Sequence, residues 1–252
     1  MPEPLKIIGL VKTRNNGALL KNCLDHAFNI CDHIIVLDDA STDLETKKLW
    51  NILPKLYARL VLLENKTWEE GFREPFETIH RQKLLDTARE LFGENIWLYY
   101  FDADECIINP QSLRFRVQNN SSHLDGIKIT LFDAHATPDD CEDYKDNKLL
   151  NFRKWFDPIP RHILMLWKNK PEVNFIGIDK REPEVRGRVE IGGFCQHYGK
   201  ALSKKLWEEK CDYYVKHFSK HYQNKWQARK GKYIHTTSDF GKPLQLWKDL
   251  IN

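Results

Sequence analysis

The chain has 252 residues, of which 41% are hydrophobic and 30% are charged, and its formal net charge at pH 7 is +3. These values exclude a disordered chain and fit one large domain, or one domain with an appended segment. No apolar run approaches the roughly 18 residues that a membrane span requires, and residues 1–6 lack a signal-peptide pattern, so we expect a mature cytosolic start.

The first half of the chain alternates between short apolar runs and segments with helical spacing. Strands are predicted at residues 6–12, 33–37, 59–64 and 97–101, and helices at 18–28, at 42–57 and at 75–92. A capping box from Thr42 to Glu45 is expected to open the second helix, and Gly93 to follow the end of the third. This order of elements is typical of βαβ units and predicts an α/β fold with a parallel sheet.

Polar residues follow three of these strands. Residues 13–15 come after the first strand, Asp38 and Asp39 end the second, and residues 102–105 follow the fourth. In open α/β sheets, ligands bind outside the carboxyl ends of the strands. We therefore expect the functional site at this edge of the sheet.

Three carboxylates stand within four residues after the fourth strand, at Asp102, Asp104 and Glu105. Like charges so close repel one another unless a cation lies among them. Oxygen ligands suit a hard cation, Mg²⁺ or Mn²⁺, and such an ion commonly carries a phosphate. The alternative is an acidic turn exposed to solvent. Glu105 either helps to hold the cation or caps the turn, and we favour the cap.

The second half has a different pattern. Strands are predicted at residues 125–132, 163–167 and 189–194, followed by a helix at 203–219 and an irregular tail. The polar segment 137–158 is expected to form a long surface excursion. No internal repeat and no low-complexity linker marks a domain boundary.

The charge of the chain is unevenly distributed. Residues 200–252 hold 12 Lys and Arg against 5 Asp and Glu, a local net charge of +7, whereas residues 1–199 hold 27 against 31, a net of −4. A basic, aromatic-rich tail fits an anionic partner or a membrane surface, and it equally fits an ordinary solvated helix face.

The six cysteines are scattered and form no C-x-x-C pair. Zinc clusters and redox motifs need closely spaced cysteines, and disulfide frameworks belong to small secreted chains. We therefore expect buried free thiols.

Two segments resemble a known family. Residues 34–43, IIVLDDASTD, look like the second-strand signature of GT-A glycosyltransferases of the family 2 type, and Asp102-Ala103-Asp104 resembles their DxD motif. The resemblance implies a GT-A fold, a Rossmann-like and mostly parallel sheet flanked by helices, with a helical C-terminal extension. It implies a glycosyltransferase domain at 1–200, with a donor half at 1–110 and an acceptor half at 111–200, and a basic helical segment at 201–252 that packs on or extends the same domain.

The resemblance also implies a nucleotide-diphosphate sugar as donor, with UDP favoured, and Mn²⁺ or Mg²⁺ as cofactor. By position, Thr13 and Asn15 would lie in the loop that meets the nucleotide, Asp38 or Asp39 would bind the base, and Arg81 would face the donor. Asp102 would face the ribose or sugar and serve as a further metal ligand. Asp104 would bind the metal, and His197 would be a late metal or phosphate ligand. The alternatives are an ordinary exposed helix charge for Arg81 and an ordinary packed imidazole for His197.

Family 2 enzymes mostly invert the anomeric centre, and inversion needs a carboxylate base that deprotonates the acceptor hydroxyl. Three carboxylates of the second half are candidates, in the order Asp179, Asp157 and Asp133. A retaining enzyme would need no such base, and the sequence leaves that alternative open.

The expected acceptor is a glycan or a lipid-linked glycan, and the expected location is the cytoplasm, with contact to the inner membrane surface through the basic tail. Nucleic acid is not an expected partner.

Two competing enzyme classes fit less well. An Asp-nucleophile phosphotransferase has the motif D-x-D-x-T after its first strand, whereas here the DxD follows the fourth strand and Cys106 stands at the position of the threonine. A nucleotidyltransferase needs a Gly-rich loop after the first strand, and only Gly17 is found there. A non-catalytic relative that binds a sugar nucleotide is the third alternative.

Overall fold

The computed structural model describes residues 5–69, 71–145 and 148–251. Within them the strands are β1 (Lys6–Thr13), β2 (His33–Asp39), β3 (Leu60–Asn65), β4 (Ile96–Tyr100), β5 (Glu105–Ile107), β6 (Gly126–His135), β7 (Trp155–Phe156), β8 (Arg161–Lys168), β9 (Val189–His197) and β10 (Gln245–Leu246). The helices are α1 (Gly17–Ala27), α2 (Leu44–Leu56), α3 (Arg73–Phe92), α4 (Pro110–Asn120), α5 (Lys204–His217), α6 (Lys220–Gln227) and α7 (Trp247–Leu250).

One large mixed sheet organises the chain. Its first half consists of four parallel strands in the order β3-β2-β1-β4. Beyond β4 the sheet continues through β8, β6, β7 and β10 in antiparallel pairs, while β9 lies parallel to β6 and antiparallel to β5. The predicted α/β class, with a parallel sheet flanked by helices, is confirmed. Every antiparallel pair includes a strand from the second half of the chain, where the sequence pattern differs from that of the first half.

Strands β1, β2 and β4 are buried along almost all of their length, which explains why they are almost wholly apolar, whereas the edge strand β3 is half-buried. Ile7 of β1 belongs to the same core as Leu20 and Leu24 of α1, whereas Ile8 belongs to a second core with Leu84 and Leu85 of α3. Because successive strand residues point to opposite faces, one uninterrupted apolar run supplies both cores.

Several boundaries differ from the expectations. The N-cap of α2 is Asp43, whose carboxylate accepts the Thr46 amide at 2.7 Å, and not Thr42. Asn15 accounts for the shift, because its side-chain oxygen accepts the Thr42 amide at 2.8 Å. Helix α3 begins at Arg73, two residues earlier than expected, and the tail, expected to be irregular, contains α6 and α7.

The segment 137–158 is anchored in the protein far more than a surface excursion would be. Leu149 and Phe156 are fully buried in the main core. The guanidinium of Arg153, which is 2% exposed, donates to the carbonyl of Ala201 at 2.8 Å and contacts Asp140 at 3.2 Å. The expectation of a loop on the surface was therefore wrong for these residues; residues 146 and 147 lie outside the described part of the chain.

The C-terminal segment has a small core of its own, formed mainly by aromatic rings. Trp207, Trp226 and Tyr233 are buried there against Ala136, which follows β6 directly, and the Tyr214 ring stacks on Trp226 with centroids 4.3 Å apart. No helix of the described residues is long and apolar enough to cross a membrane. The cysteines are free thiols as expected, although Cys141 is exposed and the other five are buried.

Replacing Arg153 by leucine should destabilise the protein by roughly 3 kcal/mol, because removal of one partner leaves buried acceptors and the Asp140 carboxylate without compensation. Chemical denaturation measures the free energy of unfolding. The matched control is Arg116→Leu, whose ion pair with Glu190 is about one-third exposed and should contribute less than about 1 kcal/mol. Equal effects of the two substitutions would contradict the anchoring role of Arg153.

Candidate functional site

The carboxyl ends of β1, β2 and β4 meet at one edge of the sheet, as predicted. Thr13 pairs in register with Asp38, and the chain leaves β4 directly into residues 102–105. Thr13 is 1% exposed, and its hydroxyl has no hydrogen-bond partner among the described residues. A buried hydroxyl without a partner is costly, so this strand end offers an unused polar group to a ligand.

Asp39 lies in a pocket of cationic side chains. Its Oδ2 pairs with the fully buried guanidinium of Arg73 and lies 3.8 Å from Lys12 Nζ and 3.7 Å from His80 Nδ1. Burial by itself would raise the pKa of Asp39, but the surrounding cations outweigh it and hold the pKa below its ordinary value. Asp39 is therefore an ionised acceptor at the end of β2.

Asp38 and Asn15 fix the loops around this edge. Asp38 accepts hydrogen bonds from the hydroxyl and the amide of Ser41, and burial raises its pKa even though Ser41 donates to it. The backbone amide of Asn15 donates to Ser41 Oγ at 2.8 Å, and its side chain, as noted above, holds the start of α2. The loop after β1 and the loop after β2 are thus joined through Ser41.

Asp102 and Glu105 share one arginine. Arg181 Nη1 lies 3.0 Å from Asp102 Oδ2, and Nη2 lies 2.5 Å from Glu105 Oε1. Glu105 also accepts the Asp102 backbone amide at 3.0 Å, so it caps the turn as expected. Burial raises the pKa of Asp102, but Arg181 and more distant cations outweigh it and hold that pKa below its ordinary value.

Asp104, His197 and Asp133 form a continuous chain. His197 Nε2 lies 3.6 Å from Asp104 Oδ1, and Nδ1 lies 2.5 Å from Asp133 Oδ1. The backbone explains the meeting, because β9 lies between β5 and β6 and His197 pairs with Glu105 on one side and with Asp133 on the other. The structure therefore brings two of the predicted metal ligands together.

This arrangement fits a divalent cation. Metal-ligating histidines usually donate their second ring nitrogen to a carboxylate, which is the relation of His197 Nδ1 to Asp133. Among the described residues no group of three or more His, Cys, Asp or Glu is arranged to hold a metal. Two protein ligands nevertheless suit Mg²⁺ or Mn²⁺, which is commonly held by one or two carboxylates together with substrate phosphates.

Gly199 keeps the space between the two ligands open. A Cβ at this position would lie 2.7 Å from His197 Nε2, 2.7 Å from Lys210 Nζ and 2.9 Å from Asp104 Oδ2. Gly199 is not among the residues with positive φ, so the backbone does not require a glycine there. The requirement is one of space, at the point where the three polar groups converge.

The three candidate bases differ in their surroundings. Burial raises the pKa of Asp179, although Tyr222 donates to its Oδ2 at 2.7 Å, and burial likewise raises the pKa of Asp157, whose Oδ1 accepts the Ile159 amide. Asp133 is the opposite case: burial raises its pKa, but the cations around it outweigh this and hold the pKa well below its usual range. A carboxylate so stabilised is a weak base.

Each guanidinium nitrogen of Arg81 already donates a hydrogen bond within the protein. Its Nε donates to Tyr100 Oη at 3.2 Å, Nη1 to the Lys180 carbonyl at 3.0 Å, and Nη2 to Glu77 at 3.2 Å. The side chain thereby ties α3 to the segment that contains Asp179 and Arg181, and it is buried and not an exposed helix charge.

The C-terminal helices lie across the whole edge. Lys210 Nζ of α5 is 3.6 Å from Asp104, and the Ser219 amide donates to Glu74 at 2.8 Å. At the β2 end, two guanidinium groups contact the Trp68 ring: that of Arg14 lies 3.5 Å from the ring centroid and that of Arg73 lies 3.9 Å from it. His217 meets the same ring at 5.3 Å.

Sequence reasoning missed several residues of the site, all of them basic or aromatic: Arg73, Arg181, Lys200, Lys210 and Tyr222. Arg181 had a usable signal, because it stands two residues after Asp179 in the segment that was singled out. The others belong to helices or to the tail, where a basic residue is most often an exposed one, and no local pattern distinguishes them.

No protein-family model matches the chain, and no curated protein matches it. Among solved structures it is similar to S. aureus TarS 1–349, with 13% identity and a TM-score of 0.41 over 89% of this chain and 70% of that one. It is also similar to the mannosyltransferase PcManGT from Pyrobaculum calidifontis in complex with GDP-Man and Mn²⁺, with 19% identity and a TM-score of 0.46 over 92% of this chain and 66% of that one. For GalNAc-T7 with UDP, GalNAc and Mn²⁺ the values are 14% identity and a TM-score of 0.45, over 86% and 51%. These likenesses are too weak to carry an argument about function, which has to come from the geometry of the site.

Replacing Gly199 by alanine should weaken Mn²⁺ binding roughly tenfold or more, because the new methyl group occupies the space between His197 and Asp104. The displaced atoms are ends of side chains, so the fold should persist. Electron paramagnetic resonance titration measures the affinity for Mn²⁺.

Gly192→Ala is the matched control. The three atoms nearest to the new Cβ all belong to the guanidinium of Arg116, and Gly192 lies five residues before His197 in β9. An unchanged Mn²⁺ affinity in Gly199→Ala, or an equal loss in the control, would contradict the metal site.

Proposed function

We propose that the protein is a metal-dependent GT-A glycosyltransferase that transfers a sugar from a nucleotide-diphosphate sugar, with a UDP-sugar favoured, to a glycan or lipid-linked acceptor. One observation carries the proposal: Asp104 and His197 Nε2 converge on the space beside Gly199 while Asp133 holds the other ring nitrogen. The site lies at the carboxyl edge of a sheet that begins with parallel strands, where α/β proteins bind their ligands.

Of the three predicted ligands, Asp104 and His197 would hold Mn²⁺ or Mg²⁺, since Asp102 pairs with Arg181 and forms no three-residue group with them among the described residues. The bound ion would offset the charge that develops on the diphosphate leaving group. The chain's own cations serve the same end. Lys210 lies 3.6 Å from Asp104, within reach of a phosphate held there. Arg181 keeps the Asp102 carboxylate in position through an ion pair of 3.0 Å, which favours a fixed orientation of Asp102 towards the sugar or ribose.

The β2 end would receive the nucleotide. The polar groups there are the buried, unpartnered hydroxyl of Thr13 and the ionised carboxylate of Asp39, whose oxygens already meet Arg73 and Asn65, and Asp38 lies beside them. An ionised carboxylate accepts strong hydrogen bonds from an N–H donor, which supports recognition of a base such as uracil. Asn15 and Arg81 would act by fixing the surrounding loops, since their side chains bond within the protein.

Inversion at the sugar requires a base on the acceptor side, and Asp179 remains the first choice, followed by Asp157. Both have a raised pKa, which makes a carboxylate a stronger base at neutral pH. Asp179 is close to the donor edge, because it lies two residues from Arg181 and 3.9 Å from Arg81 Nη1. Asp133 takes the role of orienting His197. Replacing the base by asparagine would lower kcat roughly a hundredfold or more.

The basic segment 200–252 contributes Lys210 and Tyr222 to this edge, so we assign it to the same functional unit as the domain before it. Cytoplasmic work on a surface glycan, with the tail against an anionic membrane surface, is consistent with its charge of +7. Failure to bind anionic vesicles would remove the membrane part of this proposal only.

The donor is identified by incubating the protein with UDP-, GDP- and dTDP-sugars and Mn²⁺ and measuring donor hydrolysis and thermal stabilisation. We expect one nucleotide to stabilise the protein and both effects to be lost in Asp104→Ala, because the metal then loses its carboxylate ligand. Asp86→Ala, which removes a carboxylate that is 61% exposed on α3, is the control. No response to any donor would contradict the transferase proposal, and binding without hydrolysis would indicate the non-catalytic alternative.

The pH profile identifies the base. Activity should rise with pH as the base loses its proton, along an acid limb that lies above the ordinary carboxylate range because burial raises the pKa of Asp179. Tyr222→Phe removes a hydrogen bond that stabilises the ionised form, so it should move this limb of kcat to higher pH. If Asp157 is the base, the limb stays in place, because Tyr222 bonds to Asp179. Unchanged activity in both Asp179→Asn and Asp157→Asn would contradict a carboxylate base.

A further inference from the structure

A group of four cationic side chains lies beyond Asp133, on the far side of His197 from Asp104; we call it the Lys200 cluster, and it consists of Arg161, Lys200, Lys225 and Arg229. Lys200 Nζ lies 3.0 Å from Asp133 Oδ2 and 2.6 Å from Asp239 Oδ2. Arg161 Nη2 lies 2.7 Å from Asp133 Oδ1, and Arg229 pairs with Asp239. These side chains come from β8, from the turn after β9, and from α6 and its C-terminal end.

The cluster has more positive than negative charge. Three carboxylates face the four cations, at Asp133, Asp157 and Asp239, and Asp157 already accepts a backbone amide. Among the described residues Lys225 has no ion pair or hydrogen bond. Desolvation lowers its pKa, and repulsion from Arg229, and further from Lys200 and Arg161, adds to this although Asp239 opposes it. An added anion would relieve that repulsion.

A buried histidine beneath the cluster is unsatisfied as well. His135 is fully buried, and neither of its ring nitrogens has a hydrogen-bond partner among the described residues. Burial, followed by the fields of Lys200 and His235, lowers its pKa to about 3, so the ring is neutral. Its unpaired N–H is a donor that no Asp or Glu side chain accepts among the described residues.

The position of the cluster separates it from the donor diphosphate. The diphosphate would be held at Asp104 and His197 Nε2, next to Lys210. Lys200 contacts the other oxygen of Asp133, Oδ2, and Arg161, which shares Oδ1 with His197, lies 3.3 Å from Nδ1, the ring nitrogen that does not face Asp104. Arg161 is 46% exposed and Lys225 is exposed, so a ligand in solution can reach them. Arginine and lysine together provide a planar fork and a point charge, a usual combination for phosphate and carboxylate groups.

We propose that the Lys200 cluster binds an anionic group, a phosphate or a carboxylate, that the acceptor carries, and that the acceptor is therefore an anionic and not a neutral glycan. The identification of the anion as part of the acceptor rests on the proposed function. The existence of the anion site does not depend on that function.

The test starts with binding alone, using the full chain without metal or nucleotide. Inorganic phosphate and acetate are titrated separately at low ionic strength and followed by calorimetry, which distinguishes a phosphate site from a carboxylate site. Lys225→Gln should weaken binding of the preferred anion about fivefold, and Lys225→Glu more strongly. Lys205→Gln, which removes an ammonium whose side chain is 83% exposed on α5, should leave the affinity unchanged.

Binding of UDP with Mn²⁺ is then measured in the same variants, and it should not follow the loss of phosphate binding. If phosphate binding is lost in Lys210→Gln and retained in Lys225→Glu, the anion occupies the diphosphate position and the proposal is overturned. It is also overturned if neither anion binds. With an active donor in hand, Lys225→Gln should raise KM for phosphorylated or carboxylated glycans and not for neutral ones. A failed donor panel with Lys225-dependent phosphate binding would refute the transferase and leave the anion site standing.

Discussion

The pairing of β9 between β5 and β6 is the constraint on which the site depends. His197, the last residue of β9, stands opposite Glu105 on one neighbour and opposite Asp133 on the other. Main-chain hydrogen bonds therefore determine which carboxylates the imidazole meets, and the side chains need little further ordering. Because strand pairing arranges these groups during folding, the site that we propose for a cation is pre-organised.

A second consequence of this geometry is the density of buried charge. Arg73 with Asp39 and Arg181 with Glu105 are ion pairs in which at least one partner is almost fully buried, and Lys200 with Asp133 is a pair whose side chains are 11% and 14% exposed. Such pairs contribute little net stability, since desolvation offsets their attraction, but loss of one partner leaves the other uncompensated. The pairs thus hold individual carboxylates in defined ionisation states: Asp133 and Asp39 are ionised and poorly basic, while Asp179 and Asp157 have raised pKa values.

The C-terminal segment completes the edge. Helix α5 brings Lys210 to Asp104, α6 brings Tyr222 to Asp179, and the residues that follow bring Arg229 and Asp239 to Lys200. Aromatic packing holds it in place, through the Tyr214–Trp226 stack and the burial of Trp207. The high content of lysine and aromatic residues in the tail is therefore explained by two separate tasks, since the rings form a core and several of the cations face the site.

The sequence by itself determined the βαβ order of the first half, the α/β class and the edge at which Asp39, Asp102 and Asp104 gather. These features follow from periods of 2.0 and 3.6 residues and from strand ends, which are local properties of the chain. Only the tertiary structure decided the partners of those residues. Arg181 meets Asp102 across 79 positions, and His197 meets Asp133 across 64. No local pattern specifies such contacts, because they depend on strand register and on how the C-terminal helices pack, and these are set by the folded chain as a whole.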